Sequence, residues 1–378
     1  MGCFKKFFLV LIAIFSLFLL SGCWDARDIN EKLIITTIAF DINNDEILFY
    51  LEIANIESGN SDANESGGSK YIVVKGKGKT LPEVRDNLET KLDKHLYLSG
   101  VWALIFTKDF AQKYFVEYLY RFRVDETYRK KGITVITEEN PEKLFENAHK
   151  NNISVGLIID GIVKTLDELG KTVKKSTILL LENISCSYTG ILLPCIGLED
   201  EKISMVGYSV INDSKVIGFL PADESIGTML LRANKPKFIF IVPYNDINFT
   251  IEVLVKKRII KPVYNEGKII YNIIMKFRAE LMYGDKKTPY NFDENIEKEV
   301  TNILTTILND HINNAITKAQ NDFACDYLQF NEFFRIKYPN KFKELNWNNE
   351  FKNISSNIEM KVELKSKWGM NYTDDKTK

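Results

Sequence analysis

Cys23 is the residue best placed to do covalent chemistry. It follows Leu20-Ser21-Gly22 at the end of an apolar run from Phe7 to Leu20, which a short basic head, Lys5 and Lys6, precedes. Charged head, apolar stretch and small residues at the cut form the layout of a secretory signal. Ser21 and Gly22 are small enough to enter a peptidase pocket, and Cys23 then supplies a thiol where the mature chain begins. Other chemistry-bearing residues are sparse. His95, His149 and His311 are the three histidines, and none stands in metal-ligand spacing with Cys or carboxylates. Lys75-Gly76-Lys77-Gly78-Lys79 approaches a phosphate loop, but it lacks the spacing and the Ser/Thr at a helix start, so it reads as a strand leaving into a turn. No dinucleotide fingerprint, Walker loop or Gly-x-Ser-x-Gly elbow occurs. The aromatic cluster of Tyr114, Phe115, Tyr118, Tyr120 and Phe122 reads as core or interface. The sequence therefore points to no catalytic residue, no metal and no cofactor.

The box at 20–23 resembles a bacterial lipobox, in which the cysteine is alkylated by a diacylglyceryl group and becomes the new N-terminus, with N-acylation open to it afterwards. The alternative is an uncleaved transmembrane helix. Spanning the hydrocarbon core takes about 20 apolar residues, and this run stops against Asp25, Arg27 and Asp28. A cleaved leader over 1–22 is the better reading. Met1-Gly2-Cys3 is no myristoylation start, since Lys6 stands where that motif wants Ser or Thr. Two acyl chains hold a protein on a membrane persistently, each buried methylene adding about 0.8 kcal/mol.

The elements that must carry such an anchor alternate between strand and helix. Residues 32–40 and 46–56 predict a hairpin around the turn residues Asp41 to Asp45. Ser58 to Ser69 is a polar Gly/Ser-rich loop, and Tyr71 to Lys77 a returning strand. Thr80 caps a helix with Leu81, Val84, Leu88 and Leu92 on one face. Leu96 to Thr107 reads as a buried strand, Asp109 to Phe122 as an aromatic helix, Ile133 to Thr137 as a strand and Pro141 to His149 as a helix. One or two further helices lie between Ile153 and Leu181. This predicts an N-terminal α/β domain over 23–190. A second unit, over 198–372, opens with a hairpin (Ile203 to Ile211, Val216 to Leu220) and a helix from Pro221 to Arg232. Strands follow at Phe238 to Val242, Asn248 to Ile260 and Lys268 to Leu281, with Asn265-Glu266-Gly267 as a turn. Apolar residues at helical spacing predict a helix of about 25 residues over 295–319, and 354–364 alternate as a last strand. The expected class is α+β, with mixed sheets packed by helices.

The totals agree with a folded, multi-domain chain: 45% hydrophobic and 27% charged residues over 378 positions. Losing Lys5 and Lys6 with the leader leaves 48 basic against 51 acidic side chains. Such a balance creates no field to attract nucleic acid. Cys186, Cys195 and Cys325 remain beyond Cys23. The first two are close enough in sequence to pair, though their spacing does not demand it, and free buried thiols are the favoured reading.

Four stretches together resemble the Ger(x)C family, the lipoprotein C subunits of nutrient germinant receptors in spore-forming Bacillota. Cys23-Trp24-Asp25-Ala26-Arg27-Asp28-Ile29 is similar to its Cys-Trp-Asp-x-Arg-Glu-Ile opening, with Asp28 for Glu. His95-Leu96-Tyr97-Leu98-Ser99-Gly100 resembles its His-Leu-Tyr-x-Ser-Gly strand, and Ile260-Lys261-Pro262-Val263, after Arg258, its Lys-x-Lys-Pro strand end. Asn331 to Pro339, with Trp347, Val362 and Gly369, resembles its C-terminal signature. Two departures stand out. Arg123 to Arg129 only approximates an Arg-Asp-x-x-x-Arg pattern, and the turn Asp326-Tyr327-Leu328-Gln329-Phe330-Asn331 has lost both family glycines, so that Gln329 is strained if a positive φ is required there. The resemblance implies a membrane lipoprotein on the outer face of the spore inner membrane, palmitate or a similar acyl chain on Cys23, and two polytopic partner subunits of A and B type. It also implies a three-domain mixed α/β ectodomain with no established catalysis and no mapped ligand site, acting in spore germination; a lipid-anchored nutrient-binding protein is the alternative. Trp24, Asp25 and Arg27 suit headgroup or partner contact, or equally a cap on the first domain.

Overall fold

The computed structural model describes residues 7–8, 31–55, 70–125, 127–173, 177–184, 188–285 and 292–366. The expected leader (apart from Phe7 and Phe8), Cys23, Trp24, Asp25, Arg27, the 58–69 loop, Cys186 and Gly369 lie outside them.

Hairpins open the fold because two-residue polar turns accept left-handed backbone. Strands β1 (Lys32–Asn43) and β2 (Glu46–Ala54) turn at Asn44 and Asp45, with φ of 50° and 61°, the geometry that matches the twist of the flanking strands. Strand β3 (Tyr71–Gly78) pairs outside β2. Helix α1 (Leu81–Glu89) starts at Thr80, whose side chain accepts from the Glu83 N–H, and buries Leu81, Val84 and Leu88. The expected strand Leu96 to Thr107 is broken. Its first part, β4 (His95–Tyr97), pairs with β1, a 3₁₀ turn follows over Leu98–Gly100, and β5 (Ala103–Thr107) resumes farther along β1. Gly100 sits in that break because a Cβ there would lie 2.9 Å from the Ile35 carbonyl oxygen.

Helix α2 (Lys108–Val124), β6 (Ile133–Thr137), α3 (Pro141–His149), α4 (Val155–Glu168) and α5 (Thr177–Ile184) complete the alternation. Strands β1, β5, β6 and β7 (Ile191–Glu199) run parallel in the middle of a nine-stranded mixed sheet. Its far edge is built by β8 (Lys202–Asn212) and β9 (Lys215–Pro221), antiparallel to their neighbours. The hairpin expected to open the second unit thus extends the first sheet, through the β6–β7 pairing across the helical segment. One face packs against α1, α2 and α5, the other against α3 and α4. Phe40 anchors the first face, with the rings of Phe106 and Tyr118 at 4.6 and 4.2 Å; each such side chain contributes roughly 2 kcal/mol by leaving water.

The second sheet has the order β10-β11-β12-β13. Long antiparallel strands β10 (Lys237–Tyr244), β11 (Ile247–Asn265) and β12 (Lys268–Gly284) form three of its members in chain order, and β13 (Ser355–Ser366) adds in parallel to β12. Helix α6 (Ile226–Arg232) is shorter than expected, because residues 222–225 turn first. Helix α7 (Glu294–Thr317), capped by Asp293, crosses the sheet with Val300, Leu304, Leu308 and Ile312 buried, and ends in a π turn over Lys318–Asp322. Three short helices, α8 (Phe330–Lys337), α9 (Pro339–Glu344) and α10 (Trp347–Phe351), lead into β13. Leu192, Tyr208, Val210 and Leu220 of the first sheet join this second core, so the two halves share apolar packing. The class is α+β, with mixed sheets covered by helices, as the sequence predicts.

Candidate functional site

Among the described residues, three features combine chemistry with position: a buried carboxylate in each half and an apolar groove. The first carboxylate is Glu52. Leu48, Tyr50 and Glu52 alternate onto the face of β2 that α3 and α4 cover, so an acid occupies a core position. A bulge in β1, between Ile35 and Thr37, lets two successive hydroxyls reach it. Oε2 accepts from Thr36 Oγ1 at 2.7 Å, from Ser154 Oγ at 2.6 Å and from Thr37 Oγ1. Oε1 accepts from the Val155 N–H at 2.9 Å and pairs with His149 Nε2 at 2.8 Å. Burial pushes this carboxyl up, but hydrogen bonds from His149, Ser154, Thr37 and Thr36 more than offset that and hold it below the usual value. Gly156 fits under β1 because a Cβ there would meet Thr37 Oγ1 at 2.6 Å. A carboxylate has about four acceptor positions, and five donors fill them here. Glu52 has no capacity left to take a proton from a substrate; it ties β1, β2, the end of α3 and the start of α4 together.

The second carboxylate is Asp326, buried beside the C-terminal signature. It accepts from the N–H groups of Phe330 and Asn331 at 3.0 and 2.7 Å and from Trp347 Nε1 at 2.9 Å. Burial, against those donors and the nearby Arg232 guanidinium, pushes it up to about 6. Gln329, where the resemblance places a glycine, holds φ 63° and ψ 33°: the positive φ that would strain it is present. Asn331, the second position where the resemblance places a glycine, lies in α8 and donates from Nδ2 to Thr189 Oγ1 at 2.7 Å. The Lys-Pro strand end meets the same hub, since Lys337 Nζ donates to the Pro262 carbonyl at 2.8 Å. Arg258, just before it, donates to the carbonyls of Leu230, Ala233 and Arg232 and closes the end of α6. The signature residues are therefore joints of the second half.

The 95–100 motif is likewise structural. Ser99 Oγ donates to the Thr127 carbonyl at 2.9 Å, and Arg129 stacks on Trp102 at 3.8 Å. His149 belongs to the Glu52 cluster, while His311, on α7, packs 5.6 Å from Phe240, with burial lowering its pKa. Cys195 and Cys325 are free and buried, and burial pushes both thiols up. Among the described residues no three His, Cys, Asp or Glu side chains converge as metal ligands would, and no helix is long and apolar enough to cross a membrane.

The groove lies between α1 and α2, over the β1–β2 part of the sheet, with a volume of about 1480 Å³. Ile38, Phe49 and Leu51 form its floor and Leu88 and Leu92 one wall. The Tyr118 and Tyr128 hydroxyls meet in it at 2.7 Å. On the rim, Arg85 pairs with Glu89 at 3.0 Å and Arg121 with Glu117 at 3.5 Å. Glu31, Asp93 and Asp125 then stand against Lys94. Sequence reasoning found neither groove nor Glu52; for Glu52 the usable signal was an acid in phase with Leu48 and Tyr50.

The family profile "Spore germination protein N-terminal domain" matches residues 25–198, and "Spore germination B3/GerAC like, C-terminal" matches 206–367. Spore germination protein B3 of Bacillus subtilis (strain 168) is 22% identical over 335 residues, covering 87% of this chain and 89% of that protein. Spore germination protein KC of the same organism is 22% identical over 381 residues, covering 90% of each. A solved structure titled "Crystal Structure of the GerBC protein" superposes with a TM-score of 0.52 at 16% identity, covering 86% of this chain and 96% of that one. The profile junction falls between residues 198 and 206, at the β7–β8 turn inside the first sheet. With both halves matched in order and the fold shared, the chain belongs to the Ger(x)C family of spore germination proteins.

Proposed function

We propose that this spore germination protein is a non-enzymatic, lipid-anchored subunit of a nutrient germinant receptor. It sits on the outer face of the spore inner membrane and acts in assembly and signalling with two polytopic subunits. The observation that carries this reading is the box Leu20-Ser21-Gly22-Cys23 with Trp24-Asp25 directly behind it, at the head of a chain matched by family profiles in both halves. The saturated Glu52 carboxylate and the structural use of the signature residues support a scaffold rather than a catalyst. Cys23→Ala is expected to abolish lipidation, shift the chain out of the membrane fraction and weaken nutrient-triggered germination. Unchanged retention and germination in that variant would overturn the reading.

The groove favours a second reading, a lipid-anchored protein that captures a small nutrient for its membrane partners. Calorimetric titration of the chain with amino acids, nucleosides and sugars separates the two: saturable binding supports capture, and its absence supports the scaffold.

A further inference from the structure

We infer that the groove between α1 and α2 is the docking site for an amphipathic helix of a membrane-bound partner. Size, position and charge carry the inference. At about 1480 Å³ the groove exceeds the 300–1,000 Å³ usual for small-ligand pockets. Its α1 wall, from Leu81 to Glu89, is long enough to lie beside about nine residues of helix, roughly 13 Å at 1.5 Å per residue. The floor is apolar, and apolar side chains continue onto the open end, where Tyr120 is 46% and Val124 82% exposed. A helix presenting residues at i, i+3, i+4 and i+7 covers such a strip.

Position follows from the chain. Glu31 lines the groove and stands eight residues after Cys23. Eight residues span at most about 28 Å by any path, so lipid on Cys23 keeps the groove within that distance of the bilayer surface. This step rests on the proposed reading of Cys23 as the tether. Charge selects the partner's flank: with Arg85 and Arg121 paired on their own helices, the three acids Glu31, Asp93 and Asp125 outnumber the one remaining rim cation, Lys94, which suits Lys or Arg beside the apolar stripe.

The test uses the full chain in its own membranes, with a photoreactive benzophenone amino acid replacing Tyr120, and the same probe replacing Ile239, exposed on β10, as control. Irradiation is expected to give an adduct from position 120 that maps to the apolar face of a helix in a membrane-embedded protein. The Ile239 control is expected not to give that adduct, and the exposed substitution Val124→Glu, which leaves the core untouched, is expected to reduce it at least tenfold. Adducts no stronger than the control, adducts with lipid only or with a second copy of this chain, or indifference to Val124→Glu would overturn the proposal. Loss of the adduct on adding a free amino acid, nucleoside or sugar would overturn it in favour of a ligand pocket. Membrane fractionation of the same samples scores the tether separately. A membrane-bound chain without the adduct overturns the groove proposal alone, whereas a soluble chain overturns the tether and with it the partner's membrane location.

Discussion

Replacing Glu52 by Gln keeps its volume and one acceptor oxygen but sets an NH₂ group where the other oxygen accepted. On the Oε1 side that group faces the Val155 N–H and His149 Nε2; on the Oε2 side it faces three hydroxyls. A hydrogen bond to a charged group contributes about 1.5–3 kcal/mol, and a stranded buried donor costs about 1–3 kcal/mol. The hydroxyls can rotate and the imidazole can change tautomer, whereas the Val155 N–H is fixed by the helix. One charged bond lost and one donor stranded give an expected loss of about 3 kcal/mol for Glu52→Gln; Glu52→Ala, which strips all five contacts, should cost about 4–5 kcal/mol. Native-state hydrogen exchange read on peptides from β1 and the start of α4 measures this locally, where a loss of 3 kcal/mol appears as roughly hundredfold faster exchange. The pH sign is a second check. The folded carboxyl is held below its unfolded value of about 4.3, so its contribution is fully present above that pH and is lost as pH falls through the folded value. The gap between wild type and Glu52→Gln should narrow as pH falls below 4. Exchange within threefold of wild type, or a gap that does not narrow below pH 4, would refute the clamp.

Other outcomes follow from the second half. Gln329→Gly should raise stability by about 1 kcal/mol, because glycine adopts φ near 63° without the Cβ cost; thermal unfolding without a rise of a few degrees would contradict the strain. Asp326, raised to about 6, contributes stability that is fully present below its unfolded value near 3.9 and lost as pH rises through about 6. The stability of wild type relative to Asp326→Asn should therefore fall by on the order of 3 kcal/mol between pH 4 and 7, measured by denaturant titration at each pH, and a flat difference would exclude a protonated buried acid.

Local chemistry made much of the fold readable. Asn44-Asp45, Asp213-Ser214 and Glu266-Gly267 adopt the left-handed pairs that two-residue turns need, and α7 follows its apolar spacing from Val300 to Ile312. The resemblance, which places a glycine at 329, marked a position that does hold a positive φ. Long-range pairing was not readable. Nothing local says that β7 joins β6 in parallel after three intervening helices and some fifty residues, so the pairing that puts the hairpin after residue 198 on the first sheet is invisible in the sequence. The break at Leu98 was hidden because Leu96, Leu98 and Val101 look like one strand until Gly100 meets the Ile35 carbonyl. Glu52 escaped for a related reason: its partners come from positions 36, 37, 149, 154 and 155, which only the folded chain gathers. The groove is a gap between helices, and no spacing of residues encodes a gap.

Copurification tests the central claim most directly. A tagged chain extracted in mild detergent from spore inner membranes, with Cys23 retained, should bring down two multi-spanning proteins in a fixed ratio, and the N-terminal peptide should begin at a diacylated Cys23. A chain that purifies alone, or one that carries an unmodified Cys23 from the soluble fraction, would contradict the account.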